Sequence, residues 1–374
     1  MVIKSNSLAS VAGTELRRLL EISSVSGDET EILAYLEKRC REMGFRTEHQ
    51  EVIGVRYNLL VNPLPEPGLI ITVHTDTVPD EINGSTCRYE IDGERFYGRG
   101  AADVKGGTAA LLAAMDELFH HSYMKDSGMP PITFAFTVDE EREGRGSEEL
   151  ARLGGHAAVV IEPTDLKICT AQSGSVIMQL RVYGRSAHGG EFESGYNAAL
   201  RAMDMLEKID RLPVLNRRHR LAGHGGYNLQ MINAGSREMA VPRQCDLLLD
   251  FRVLPDEEPA DVQTAVDNLI NKYDGVDSKW LEVSGAYQIS ETEPIVNLMQ
   301  SCYKEALHEE PCLGAIHSWT DAENLNNAGT KSLVFGPGNL ALSHTEEEYV
   351  DLPEVVKAAQ VFTSLISRSH QLKQ

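Results

Sequence analysis

The sequence predicts an α/β domain interrupted by a smaller α+β domain. Three observations carry this prediction. Short continuous apolar runs alternate with amphipathic stretches up to about Thr164; near Gln172 the runs become alternating; after Pro294 the first texture returns. Buried parallel strands read as unbroken apolar runs, whereas half-exposed antiparallel strands alternate, so the change of texture marks a change of domain. A chain of 374 residues is also long for one core. The expected borders are 1–172 with 291–374 for the outer domain and 173–290 for the insertion.

The outer domain begins with helical spacing from Val11 to Ile22 and a second amphipathic helix from Glu29 to Met43, ended by Gly44. Tyr57–Val61 and Gly68–Val73 read as strands, the second (GLIITV) buried on both faces. It delivers His74 and Asp76, which share a face of extended chain, so Asp76 can orient the His74 ring. Phe96–Gly107 (FYGRGAADVKGG) leads into an alanine- and leucine-rich helix from about Thr108 to Phe119. Its glycines put tight backbone around Asp103, which could equally cap the helix that follows. GRG and KGG match neither phosphate-loop pattern. The run Pro131–Gly146 (PITFAFTVDEEREGRG) is an apolar strand ending abruptly in Asp139, Glu140 and Glu141. In open α/β sheets ligands bind at the carboxyl ends of strands, so acids there face a cleft. Ser147–Leu153 reads as a helix, and Ala157–Ile161 as a strand that ends in Glu162.

Within the insertion, strands at Val176–Tyr183, Tyr227–Ile232, Cys245–Leu254 and Lys279–Val283 alternate with helices at Asn197–Ile209 and Ala260–Lys272. That order is a β-α-β-β-α-β unit, an antiparallel sheet with two helices on one face. The outer domain resumes with a helix at Pro294–Leu307, a strand at Lys331–Phe335, a loop at Gly336-Pro337-Gly338, His344, and a helix at Val355–Leu365.

The formal net charge of −21 disfavours nucleic acid or an anionic membrane surface as a partner. Six scattered cysteines (Cys40, Cys87, Cys169, Cys245, Cys302, Cys312) lack CxxC spacing and read as reduced thiols of a cytosolic protein. The N-terminal stretch has no apolar core of a signal peptide, and no run approaches the roughly 18 apolar residues of a membrane span. A cytoplasmic location is expected.

Strand ends and loops thus supply His74, Asp103, Glu140, Glu141, Glu162 and His344. Two imidazoles with several carboxylates suit zinc, or cobalt or manganese. Converging carboxylates repel one another unless a cation lies among them. Spacing alone does not bring these positions together.

Six ordered motifs do. Val73–Pro79 (VHTDTVP), Tyr97–Gly107 (YGRGAADVKGG), Thr137–Glu141 (TVDEE), Ile161–Thr164 (IEPT), Gly184–Gly190 (GRSAHGG), and Phe335–Gly338 (FGPG) with Ser343–Val350 (SHTEEEYV) span nearly the whole chain. Together they resemble the dinuclear zinc aminoacylases, the family of acetylornithine deacetylase, succinyl-diaminopimelate desuccinylase and carboxypeptidase G. The resemblance implies a zinc-aminopeptidase-like catalytic domain with a mixed central sheet, and a ferredoxin-like inserted domain that acts as lid and dimerisation surface. It implies two divalent metal ions, one held by His74 and Glu162, the other by Glu141 and His344, with Asp103 bridging. Asp76 would orient His74, Glu140 would act as general base and acid, and the Asp103–Val104 peptide would be cis. His188 would stabilise the oxyanion, from the same or a partner subunit; its alternative is a surface lid residue. Arg252, with Gly336 and Gly338, would contact substrate, although Arg252 could instead form a salt bridge within its sheet.

Two departures bear on substrate. Glu238–Pro242 (EMAVP) lacks the asparagine usual before Val-Pro, and Gln172-Ser173 stands where desuccinylases often carry arginines. The resemblance therefore points to a small acyl group on an N-acyl amino acid, nearest to acetylornithine deacetylase. Desuccinylase, dipeptidase or carboxypeptidase activity are the alternatives within the family. Outside it stand an inactive metal- or amino-acid-binding relative and an acidic scaffold with a purely structural metal.

Overall fold

The run GLIITV becomes the strand Leu69–His74, buried along its whole length because it has neighbours on both sides. Ile132–Thr137 and Ala157–Val160 flank it, both parallel to it, and Lys331–Val334 continues the parallel set beyond Ala157–Val160. Four carboxyl ends therefore emerge along one edge, followed in sequence by His74-Thr75-Asp76, Asp139-Glu140-Glu141, Glu162 and Gly336–Gly338. In this computed structural model residues 5–79, 89–120 and 131–372 are described.

The chain divides into two compact units, one of residues 1–170, 289–314 and 320–374, the other of 171–288 and 315–319. The expected borders, 172/173 and 290/291, fall two residues later than these. The segment 315–319 was expected in the outer domain but groups with the second unit, where the Ser173 N–H donates to the Ile316 carbonyl at 3.0 Å.

In the first unit the parallel strands are extended by antiparallel Arg56–Val61 and then Thr47–Ile53. Thr47–Ile53 (TEHQEVI) is missing from the sequence prediction because it is polar and largely exposed at the sheet edge, so no apolar pattern announces it. Helices Ser5–Leu20, Gly106–His120, Pro294–Leu307 and Leu352–Arg368 pack together. A small antiparallel sheet joins Tyr89–Asp92, Arg95–Gly98 and Tyr349–Asp351.

The second unit is a four-stranded antiparallel sheet in the order Gly226–Ala234, Gln244–Val253, Gly174–Tyr183, Val276–Ser284. Burial alternates strictly along Gln244–Val253, so one face is dry. Val176, Met178, Leu180, Leu247, Leu249 and Phe251 on that face meet Ala202, Met205 and Ile209 of helix Ala198–Asp210 and Val262, Val266 and Ile270 of helix Pro259–Ile270. Asn197 caps the first helix, accepting from the Ala199 and Leu200 N–H groups. A Glu258–Asp261 capping box starts the second.

Cys40, Cys169, Cys245 and Cys302 are buried free thiols and Cys312 an exposed one; Cys87 lies outside the described residues. No helix among the described residues is long and apolar enough to cross a membrane.

Candidate metal centre

His74 ends its strand with its ring 1% exposed. Its Nδ1 lies 2.9 Å from the Asp76 carbonyl. A carbonyl only accepts, so Nδ1 carries a proton, and Nε2 is the nitrogen turned into the site. Nε2 lies 3.0 Å from Asp103 Oδ1 and 3.7 Å from Glu162 Oε2, both acceptors. At the other side His344 Nε2 lies 3.0 Å from Glu141 Oε2 and 3.6 Å from Asp103 Oδ2. Asp103 thus offers one oxygen to each imidazole. Three overlapping groups could each hold a cation: His74–Asp103–Glu162, Asp103–Glu141–His344, and His74–Glu140–Glu141.

The electrostatics call for positive charge. Burial pushes the Glu162 carboxyl up to about 8, against the opposing pull of His74. Burial, reinforced by Glu162, Glu141 and Asp321 and opposed by His74, holds Glu140 well above the usual carboxylate range. Burial works against the charge on Asp103, but His74 and His344 outweigh it and keep its carboxyl low. His74 is likewise desolvated, yet Glu162, Glu140 and Asp103 raise it well above an ordinary imidazole. The hydrogen bond to Glu141 is the main cause that raises His344. Glu162 Oε1 is buried with no hydrogen-bond partner. An imidazole nitrogen facing two carboxylates and an orphaned buried carboxylate oxygen both fit divalent cations held by mixed nitrogen and oxygen ligands.

The backbone around Asp103 is unusual: Asp103–Val104 is a cis peptide. The N–H groups of Ala102 and Asp103 donate to Glu348 Oε1 at 3.1 and 3.2 Å, and Arg99 Nη1 donates to Glu348 Oε2 at 2.8 Å. Burial, then Asp103, pushes the Glu348 carboxyl up to about 7.

Asp76 differs from expectation. Its carboxylate Oδ1 stands 3.8 Å from His74 Nδ1, beyond a hydrogen bond, and only its carbonyl holds the ring. The carboxylate instead accepts from the backbone N–H groups of Glu140 and Glu141, both at 3.1 Å, and from Ser26 Oγ at 2.7 Å. A rigid strand end fixes His74 through the main chain, which frees the side chain for the neighbouring loop.

Gly336 and Gly338 pack tightly: a Cβ at Gly336 would meet the Glu162 carbonyl at 2.6 Å, and Gly338 has φ +93 beside Ala102. His188 and Arg252 lie in the second unit. His188 is exposed, and its Nδ1 accepts from the Gly190 N–H at 3.1 Å, so a neutral ring carries its proton on Nε2. Arg252 is half-buried on the face of its strand opposite the helices and makes no ion pair among the described residues.

Ser26, Glu348 and Asp321 escaped the sequence reading. Asp321 is fully buried and accepts from Thr137 Oγ1 at 2.7 Å at the end of the strand that carries the Glu140 loop. None of the three follows an apolar run, and each meets partners remote in sequence, so nothing local gives it a role, although Glu348 lies within the motif Ser343–Val350. The glutamate run at Glu346–Glu348 reads as a solvated turn until Glu348 is seen to be 2% exposed.

Residues 70–368 match the model of peptidase family M20/M25/M40. A probable carboxypeptidase of Ajellomyces dermatitidis is 27% identical over 384 aligned positions, covering 94% of this chain and 85% of that protein. An acetylornithine deacetylase of Myxococcus xanthus is 25% identical over 358, covering 90% and 91%. A tripeptidase of Staphylococcus aureus superposes with a TM-score of 0.79 at 20% identity, covering 98% of this chain and 99% of that one, a likeness of fold.

Proposed function

Given that this chain belongs to peptidase family M20/M25/M40, we propose that it hydrolyses the amide bond of N-acyl amino acids carrying a small acyl group, as an acetylornithine deacetylase does. The observation that carries the reading is Asp103 lying between two imidazoles, with half-buried Glu140 grouped with His74 and Glu141. His74 and Glu162 would hold one divalent ion, Glu141 and His344 the other, and Asp103 both, zinc being the first expectation and cobalt or manganese the next. When bound, such a pair polarises a substrate carbonyl and lowers the pKa of water. Glu140 takes a proton from the water that attacks the amide carbonyl. It returns that proton to the amine nitrogen as the C–N bond breaks, so the amine leaves neutral. His188, with its proton on Nε2, would donate to the developing oxyanion. Arg252 would bind the substrate carboxylate, and Gly336 and Gly338 would line its path.

The second reading within the family is a carboxypeptidase or dipeptidase, favoured by the fungal relative's name, as the Myxococcus relative's favours deacetylation. Gln172-Ser173 supports a neutral acyl group over a succinyl one. We further propose that the inserted unit forms a homodimer. Gly226–Ala234 is an edge strand exposing Leu229, Met231 and Ile232, and Leu200 and Met203 are exposed on helix Ala198–Asp210. A monomer by sedimentation would refute it. A cytoplasmic location rests on the free thiols. The deciding experiment measures metal stoichiometry and turnover of N-acetylornithine, succinyl-diaminopimelate and a dipeptide panel. Two ions per chain with preference for the acetyl substrate is expected. Preference for dipeptides would move the assignment to the second reading, and absence of metal would overturn both.

A further inference from the structure

The stretch Ser24–Glu29 (SVSGDE) was not among the motifs that point to the metal centre, yet it reaches the loop of Glu140 and Glu141 by two routes. It is pinned beside the end of strand Leu69–His74: Thr77 N–H donates to the Ser24 carbonyl at 2.9 Å, and Ser26 N–H to the Thr77 carbonyl at 3.1 Å. That backbone pairing sets Ser26 Oγ, 6% exposed as a residue, at 2.7 Å from Asp76 Oδ2. Asp76 is fully buried, and its carboxylate receives three donors: Ser26 Oγ and the N–H groups of Glu140 and Glu141. The second route is ionic. Glu29, 1% exposed, accepts from Gly27 N–H at 3.0 Å and from Arg56 Nε at 3.0 Å, while Arg56 Nη1 reaches Asp139 Oδ1 at 2.7 Å. Asp139 has a left-handed backbone (φ +70) immediately before Glu140.

The competition at Asp76 is what makes Ser26 matter. His74 Nδ1 stands 3.8 Å from Asp76 Oδ1. A small rotation of the carboxylate would give that oxygen to the imidazole and withdraw it from the Glu140 N–H. The Ser26 hydroxyl holds Oδ2 and so fixes the rotation in favour of the loop. A buried carboxylate deprived of one of three donors has a strong incentive to turn toward another.

We propose that Ser26 is a positioning residue that, through Asp76, fixes the backbone from which Glu140 and Glu141 project. The proposal rests on the roles given above to Glu140 and Glu141. The test compares Ser26→Ala and Ser26→Thr with Ser24→Ala, a control in the same segment whose buried hydroxyl has no partner. Three quantities are read: hydrogen exchange of the Glu140 and Glu141 amides in metal-free protein, metal affinity by chelator competition, and kcat against KM. For Ser26→Ala the expected results are faster exchange at both amides, a kcat about 10- to 100-fold lower with KM little changed, and weaker binding of one of two ions. Ser26→Thr restores all three, and Ser24→Ala matches wild type. If Ser26→Ala does not fold, Ser26→Cys, which keeps the volume with a poorer donor, must show the same losses. Wild-type exchange and kcat in the Ala variant would overturn the proposal, as would equal losses in Ser24→Ala. A wild-type protein that binds no metal and hydrolyses nothing would instead sink the functional reading, while the amide exchange still tests the clamp.

Discussion

The two ends of the candidate metal centre are built differently. At one end His74 and Glu162 have side chains only 1% and 5% exposed, and the imidazole is fixed by a main-chain carbonyl next to a strand. At the other, Glu141 is 7% exposed but His344 is 50% exposed, on a loop with left-handed backbone (φ +64). Burial at the first end makes uncompensated charge expensive, so a cation there would serve folding as well as chemistry. At the second end solvent already attends the imidazole, and little is lost when no ion is present. Similar side chains in unlike surroundings make one candidate position enclosed and the other open to solvent.

Glu140 stands where the two ends meet, and its loss should be the most damaging. Glu140→Ala is expected to lower kcat about 1,000-fold while both ions stay bound, read by steady-state kinetics beside metal analysis. Retained activity would remove Glu140 from the mechanism. Next in size is the contrast between the imidazoles. His344→Ala should leave one tightly held ion per chain and an almost unchanged melting temperature. His74→Ala leaves Glu162 without its imidazole and takes from Asp103 the nearer of its two, and should cost about 3–5 kcal/mol of stability. Denaturant unfolding of the two metal-free variants checks this, and equal values would erase the distinction between the ends. Glu348→Gln comes last, because Glu348 is none of the proposed ligands and acts through the Ala102 and Asp103 N–H groups, Arg99 and its charge near His344. A loss of about 10-fold in kcat/KM, with weaker metal binding at both ends, is expected. Weakening confined to one end would show that Asp103 does not serve both.

The sequence made the ligand-bearing half of this arrangement legible because each acid or imidazole follows a run that announces itself. GLIITV leads to His74, PITFAFT to Glu140 and Glu141, and AAVVI to Glu162, and a strand's carboxyl end is where an α/β sheet puts its chemistry. The order of motifs then joined pieces that no spacing rule could join. The supporting half was not legible. Ser26 meets Asp76 fifty residues on, and Glu348 reaches back 245 residues to the Asp103 N–H. Polar residues with distant partners have no periodicity to betray them. Two residues apart on a strand, Asp76 is expected to orient the imidazole, and it does so through its main-chain carbonyl while its carboxylate serves the Glu140 loop.

Asp103 turns one oxygen to each imidazole, and this has a thermodynamic corollary. If both proposed ions share Asp103, one entering at either end would drain electron density from a group its neighbour also needs, yet would hold that group still for the neighbour's arrival. Whichever influence prevails, linkage makes it symmetrical: the factor by which the first occupant changes the second's affinity is the same in both directions of filling. Paired titrations begun from opposite half-loaded forms must therefore close to a common free energy.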